Sequence, residues 1–187
     1  QGLRLRLDEL SEIRAPWYSE QGSFICDDCA TILKEKFERR IHHPIMSSFS
    51  RKRIDRALLR CSEILDTSKF SPPTLLHMDI KPENIVYNPS TGSVSLIDFE
   101  FARFGDIDYG WTQILLSGCN GFGKAYEEKI LSRLTEKRIN LKDALEIPKF
   151  QCYLLYQTMC NLSYYYDHSL RCPTAMYDLF DTIIDRI

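Results

Sequence analysis

Between residues 72 and 98 the periodicity of this sequence turns from helical to strand-like, and that change points to a helical fold carrying one small sheet. Pro72-Pro73 ends any helix that reaches it, and the short runs "TLLH", "NIVY" and "SVSLID" that follow are rich in β-branched residues. The turn-forming "NPSTG" at 88 to 92 divides the last two. Asn84 to Asp98 therefore reads as a β-hairpin, and His77 to Glu83 as the loop that feeds it.

On either side the pattern is helical. Ile32, Leu33, Phe37 and Ile41 recur at helical spacing behind the acidic pair Asp27 and Asp28, which predicts a helix over 28–41. Ser50 precedes a second one, in which Ile54, Leu58, Cys61 and Leu65 fall three or four apart and Asp66-Thr67-Ser68 closes the run. After a glycine-bearing loop (Gly105, Gly110, Gly118, Gly121, Gly123) the remainder, 124–187, reads as helices over 124–138, 148–168 and 174–187. Pro148 and Pro173 stand where helix starts tolerate proline. The stripe Phe150, Tyr153, Leu154, Gln157, Cys160, Asn161 and Tyr164 reads as core. The sole alternating run before the hairpin is "LRLRL" at 3 to 7. The fold class expected is α+β, a mainly helical domain over 1–187.

At 187 residues the chain suits one core. A net charge of −2 gives no reason to invoke nucleic acid, and no apolar run is long enough for a membrane helix, so a cytoplasmic protein is expected. The seven cysteines are odd in number and scattered, which disfavours a disulfide framework; most read as small core residues. Cys26-Asp27-Asp28-Cys29 is followed after twelve residues by His42-His43, the interval of a zinc finger. Tetrahedral zinc needs another ligand a few residues on, and Met46, Ser47 and Ser48 do not supply a good one. A helical Cys-x-x-Cys packed on its neighbours, without zinc, is the expectation.

The chemistry concentrates in His77-x-Asp79-x-x-x-x-Asn84 and in Asp98 at the far end of the hairpin. A hairpin brings its ends together, so Asn84 and Asp98 can converge with Asp79 nearby. Two carboxylates and an amide oxygen around one point suit Mg2+ and phosphate, because magnesium takes few protein ligands and leaves the rest to phosphate oxygens and water.

This pattern, with Ile97-Asp98-Phe99 after it, resembles the catalytic core of the protein-kinase-like superfamily, and within it the aminoglycoside phosphotransferase and choline kinase group of small-molecule kinases. The resemblance implies the C-terminal lobe of a kinase that uses ATP or GTP with Mg2+ to phosphorylate a hydroxyl of a small molecule. It implies Asp79 as catalytic base, Asn84 and Asp98 as holders of magnesium and nucleotide, His77 as a brace of the loop and Lys81 as a contact to the transferred phosphoryl group. A protein-kinase lobe is the alternative. Against it stand Met78 where protein kinases usually carry arginine, Phe99-Glu100 where they carry Phe-Gly, and the lack of an Ala-Pro-Glu segment. A catalytically inactive kinase-like binding module is the other alternative. Glu100, Asp106 and Asp108 are candidate contacts to a cationic substrate; Gly105-Asp106 fits a Gly-Asp-x-x-x-Asp pattern of such kinases, and Gly110 departs from it. The residues before His77 show no glycine-rich loop and no strand like Val-Ala-Ile-Lys, so the N-terminal sheet lobe is expected to be absent. The chain is then either a fragment of a longer kinase or a stand-alone lobe that takes its other half from a partner chain.

Overall fold

Apolar stripes place the longer helices, and the computed structural model, which describes residues 2–19, 25–117 and 141–187, sorts them into two units. One comprises residues 1–29 and 70–144 and the other residues 30–69 and 145–187. Gly118, Gly121, Gly123, Cys119 and the helix expected over 124–138 lie outside the described residues.

The first unit carries all the strands among the described residues, paired as three two-stranded antiparallel ribbons. β1 (Tyr18–Ser19) pairs with β2 (Ile25–Cys26), β3 (Thr74–Leu76) with β6 (Arg103–Gly105), and β4 (Ile85–Asn88) with β5 (Ser93–Leu96). The last is the expected hairpin, with Ile85 opposite Leu96 and Asn88 opposite Ser93. Its turn closes through the Gly92 amide, which donates to the Asn88 carbonyl at 2.8 Å, and Gly92 takes φ +68°, where a side chain would be strained.

Three features of this unit differ from the sequence reading. Residues 3–7 are helical, inside α1 (Gly2–Glu12), and Arg6 donates from Nε to the Val94 carbonyl at 2.8 Å, so the helix lies along the hairpin. The segment read as a glycine-bearing loop holds β6 and then α4 (Ile107–Ser117). Gly105 and Gly110 serve there as points of close approach: an added Cβ would come within 2.7 and 3.0 Å of Leu76 side-chain atoms. Cys26 and Cys29 do not share a helix; Cys26 ends β2 and Cys29 opens α2 (Cys29–Ile41).

The start of α4 is fixed by side chains. Asp106, fully buried, accepts from the Asp108 amide at 2.8 Å and from the Ser71 amide at 2.9 Å, and the Ser71 hydroxyl accepts from the Ile107 amide at 3.0 Å. These contacts satisfy donors that a helix N-terminus leaves open. Tyr18 donates its hydroxyl to the Ser71 carbonyl at 2.6 Å. Burial, then the neighbouring Cys29, Asp106 and Asp28, pushes its phenol up to about 12. An unfolded tyrosine ionises near pH 10, so this contribution to stability is complete below that pH and is lost as pH rises towards 12. Tyr18→Phe is expected to flatten the alkaline decline of stability between those pH values relative to wild type. Denaturant midpoints measured for both proteins at pH 9, 10, 11 and 12 check it; parallel declines would contradict it.

In the second unit α3 (Arg51–Thr67) buries Ile54, Ala57, Cys61 and Leu65, a stripe at helical spacing. α6 (Pro148–Asp167) and α7 (Thr174–Arg186) complete this core, and a short helix, α5 (Leu141–Ala144), belongs to the first unit. Phe180 has no exposed surface, and its ring centroid lies 4.3 Å from that of Phe49. The expected α6 stripe is buried at Phe150, Tyr153, Leu154 and Gln157, but Cys160 and Asn161 are half-buried and Tyr164 is exposed, so the helix outruns the core at its end. Among the six cysteines described, Cys29, Cys61 and Cys152 are buried and Cys26, Cys160 and Cys172 are half-buried. No described helix is long and apolar enough to cross a membrane.

Candidate active site

The loop after β3 is built around a buried histidine. His77 is 3 % exposed; the Asp79 amide donates to its Nδ1 at 3.3 Å, which leaves Nε2 as the protonated nitrogen, and Nε2 donates to the Ile97 carbonyl at 2.8 Å. Its ring also packs on Phe99, with centroids 4.5 Å apart. One side chain thus ties the start of the loop to the far end of the hairpin. Asn84 sits at the near end, where its carbonyl accepts from the Ile97 amide at 3.1 Å, so Asp98 follows directly after the residue that pairs with Asn84.

Asn84 is 4 % exposed and spends its amide nitrogen on Asp79, donating to the Asp79 carbonyl at 2.9 Å and to Asp79 Oδ2 at 2.8 Å. With the nitrogen fixed in this way, the amide oxygen is the end of Asn84 left for a ligand. Lys81 Nζ also reaches Asp79 Oδ2, at 2.7 Å. That hydrogen bond raises the Lys81 pKa above the usual lysine value; partial desolvation opposes it, and the charges of Asp79, Asp98 and Glu83 add to it. The ammonium therefore sits in the joint field of both aspartates. Asp98 itself is exposed.

Two backbone outliers bracket the site. Met78 has φ +63° and Asp98 φ +64°. Aspartate tolerates this left-handed region, whereas for methionine it costs on the order of 1–3 kcal/mol. Strain of this kind persists where surrounding contacts over-determine the backbone, as the bonds of His77 and Asn84 do here. It places Asp79 on a backbone that cannot relax freely.

The structure thus brings His77, Asp79, Lys81 and Asn84 together, with Asp98 next after Ile97, whose amide donates to the Asn84 carbonyl at 3.1 Å. Carboxylate and amide oxygens are hard donors, and a pair of them suits magnesium far better than zinc. Among the described residues no group of three or more His, Cys, Asp and Glu side chains is arranged to hold a metal ion. The acidic candidates for substrate divide. Glu100 is exposed in the turn after Phe99, and Asp108 is half-buried in the first turn of α4. Asp106 is fully buried with both carboxylate oxygens bonded to backbone amides; its expected place at substrate gives way to helix capping. Sequence reading missed Gln113, whose Oε1 accepts from the Ile80 amide at 3.3 Å, inside the loop. Its only sequence signal is a polar residue one helical turn after Gly110.

A family model described as "Phosphotransferase enzyme family" matches residues 33–138. A search of curated protein sequences gives no match. Among solved structures, the chain is similar to the aminoglycoside phosphotransferase APH(4)-Ia, at TM-score 0.69 and 14% identity, covering 100% of this chain and 63% of that one. A thermostable mutant of that protein, in ternary complex with AMP-PNP and hygromycin B, aligns at TM-score 0.66 and 14% identity over 96% of this chain and 61% of that one. Choline kinase LicA from Streptococcus pneumoniae aligns at TM-score 0.59 and 16% identity over 99% of this chain and 61% of that one. At such identities the likeness is one of fold. The fold is therefore a partial kinase-like one, mainly helical with small antiparallel ribbons, and the chain spans about 60% of the length of the solved structures it matches.

Proposed function

Because the chain belongs to the phosphotransferase enzyme family, we propose that it forms the catalytic and acceptor-binding part of a kinase that moves the γ-phosphoryl group of ATP or GTP to a hydroxyl of a small molecule. The observation that carries this reading is the arrangement around Asp79: one carboxylate oxygen held by both Asn84 and Lys81, on a strained loop tied by His77 to the hairpin end that bears Asp98.

Asp79 orients the acceptor hydroxyl and takes its proton as the new O–P bond forms, while the bond from the γ-phosphorus to the bridging oxygen breaks and the nucleoside diphosphate leaves. Asn84 and Asp98 would hold magnesium, which when bound would neutralise charge on the phosphates. Lys81 sits against Asp79 and offers its ammonium to the oxygens of the group in transit. His77 keeps loop and hairpin in register and touches no reacting atom.

The base of the nucleotide has an apolar surface available. Val86 and Ile97, 46 % and 45 % exposed, lie on the hairpin face that carries Asn84, since Val86 is two residues from Asn84 and Ile97 pairs with it. Exposed apolar residues beside hard oxygen ligands suit a planar base with a charged phosphate tail. The complex of the APH(4)-Ia mutant with AMP-PNP and hygromycin B supports a nucleotide and a cationic small molecule as the ligand classes. Glu100, exposed two residues after Asp98, is our candidate to attract the cation, with Asp108 as a second acidic group.

The test is a transfer assay with γ-labelled ATP or GTP and Mg2+, run on the chain and on the longest native polypeptide that contains it. Acceptors are a panel of aminoglycosides and amino alcohols beside Ser/Thr peptides. Label on a small molecule, abolished by EDTA, is the expected result. Label on peptides alone would replace this reading with a protein kinase, and nucleotide binding without transfer to any acceptor would favour an inactive binding module.

A further inference from the structure

We infer that Gln113 is a positioning residue for the catalytic loop, acting through the peptide unit between Asp79 and Ile80; this rests on the assignment of Asp79 as base. That peptide unit is held at both ends. Its carbonyl, from Asp79, accepts from Asn84 Nδ2 at 2.9 Å, and its N–H, from Ile80, donates to Gln113 Oε1 at 3.3 Å. Asn84, on the carbonyl side, also contacts the Asp79 carboxylate, so a rotation of this peptide would move both the base and a metal ligand.

The clamp has something to resist. Met78, immediately before Asp79, is held at φ +63°, and the Asp79 amide is tied back to His77 Nδ1 at 3.3 Å. Among the described residues, three side chains hold the backbone at residues 79 and 80, those of His77, Asn84 and Gln113, and of these Gln113 comes from outside the loop and hairpin. The Ile80 side chain, 2 % exposed, anchors the same residue in the core.

Gly110 and Gln113, three residues apart on α4, line one cavity of about 210 Å3 behind the loop, together with His77, Met78 and Ile80. Gly110 has no side chain to span that space, and a Cβ there would meet Leu76 at 3.0 Å. The only α4 side chain bonded to the Ile80 amide among the described residues is that of Gln113.

Gln113→Leu keeps the size of the side chain and removes the acceptor; Gln113→Glu keeps an acceptor at the same reach. In wild type the Ile80 amide is expected to be protected from hydrogen exchange although it has no backbone partner among the described residues. Gln113→Leu is expected to speed its exchange at least ~10-fold and to lower kcat by ~10- to 100-fold, the range for a small misplacement of a catalytic group, with acceptor KM nearly unchanged. Gln113→Glu is expected to restore both. Should Gln113→Leu fail to fold, the wild-type exchange rate and Gln113→Glu still decide. An unprotected Ile80 amide in wild type, or normal kcat in Gln113→Leu while Asp79→Asn is slowed ~10²-fold or more, overturns this inference alone. Normal kcat in both variants overturns the assignment of Asp79 as well.

Discussion

Asp79→Asn is expected to leave the fold and nucleotide binding intact and to lower phosphoryl transfer by ~10²-fold or more, the range for losing a positioned base. The substitution is nearly isosteric. Its amide oxygen can still accept from Asn84 and Lys81, which now meet at Asp79 Oδ2 at 2.8 and 2.7 Å. What disappears is the capacity to take the acceptor's proton. Phosphoryl transfer depends chiefly on positioning and charge stabilisation, so some turnover survives. Initial rates of transfer and nucleotide affinity, measured side by side with wild type, check this; unchanged turnover would remove Asp79 from the mechanism.

Asp98→Asn should act on binding first. Asp98 holds φ +64°, and asparagine tolerates that region as well as aspartate does, so the backbone at the hairpin end is expected to stay in place. The change removes a charge and a hard ligand. Outer partners of metal ligands are typically worth 10- to 100-fold in metal affinity, so losing a ligand should weaken Mg-nucleotide binding by at least ~10-fold, and turnover with it. Lys81 should respond too, since the charge of Asp98 adds to the upward shift of its pKa that the Asp79 hydrogen bond chiefly causes. Titration of Mg-nucleotide onto both variants separates the roles. Asp79→Asn binds normally and turns over slowly, whereas Asp98→Asn binds poorly; equal affinities would contradict the assignment of Asp98 to the metal.

Much of this site was legible in the sequence because it is local. His77, Asp79, Lys81 and Asn84 lie within eight consecutive positions, and the Asn88 to Gly92 turn returns the chain so that Asp98 must come back near them. The helices 29–41, 51–67, 148–167 and 174–186 also declared themselves, through stripes such as Ile54, Leu58, Cys61 and Leu65, although Leu58 is only half-buried and Ala57 takes the buried place beside it. Other parts rest on pairings with no local signal. Thr74 finds Gly105 across the whole hairpin, and nothing near either residue marks the match. Gly110 reads as a helix breaker, yet it sits inside α4 because the close approach of Leu76 leaves little room for a side chain. The alternating leucines and arginines at 3–7 are strand-like by pattern, while contact with β3 and β5 keeps them in a helix. Asp106 misled for a related reason. An acidic residue beside a glycine looks available for a cation, and only the folded positions of Ser71 and the α4 amides show that its oxygens are already used.

Under the proposed function, Asp79, Asn84 and Asp98 surround one metal–nucleotide site. The most direct test is a titration of the isotopically labelled chain with AMP-PNP and Mn2+, a paramagnetic substitute for magnesium that reveals even weak binding by broadening nearby resonances. Selective broadening at residues 79, 81, 84, 97 and 98, reversed by excess Mg2+ and absent in Asp98→Asn, is the predicted result. Broadening confined to Cys26, Cys29 and His42-His43, or none at all at saturating nucleotide, would contradict it.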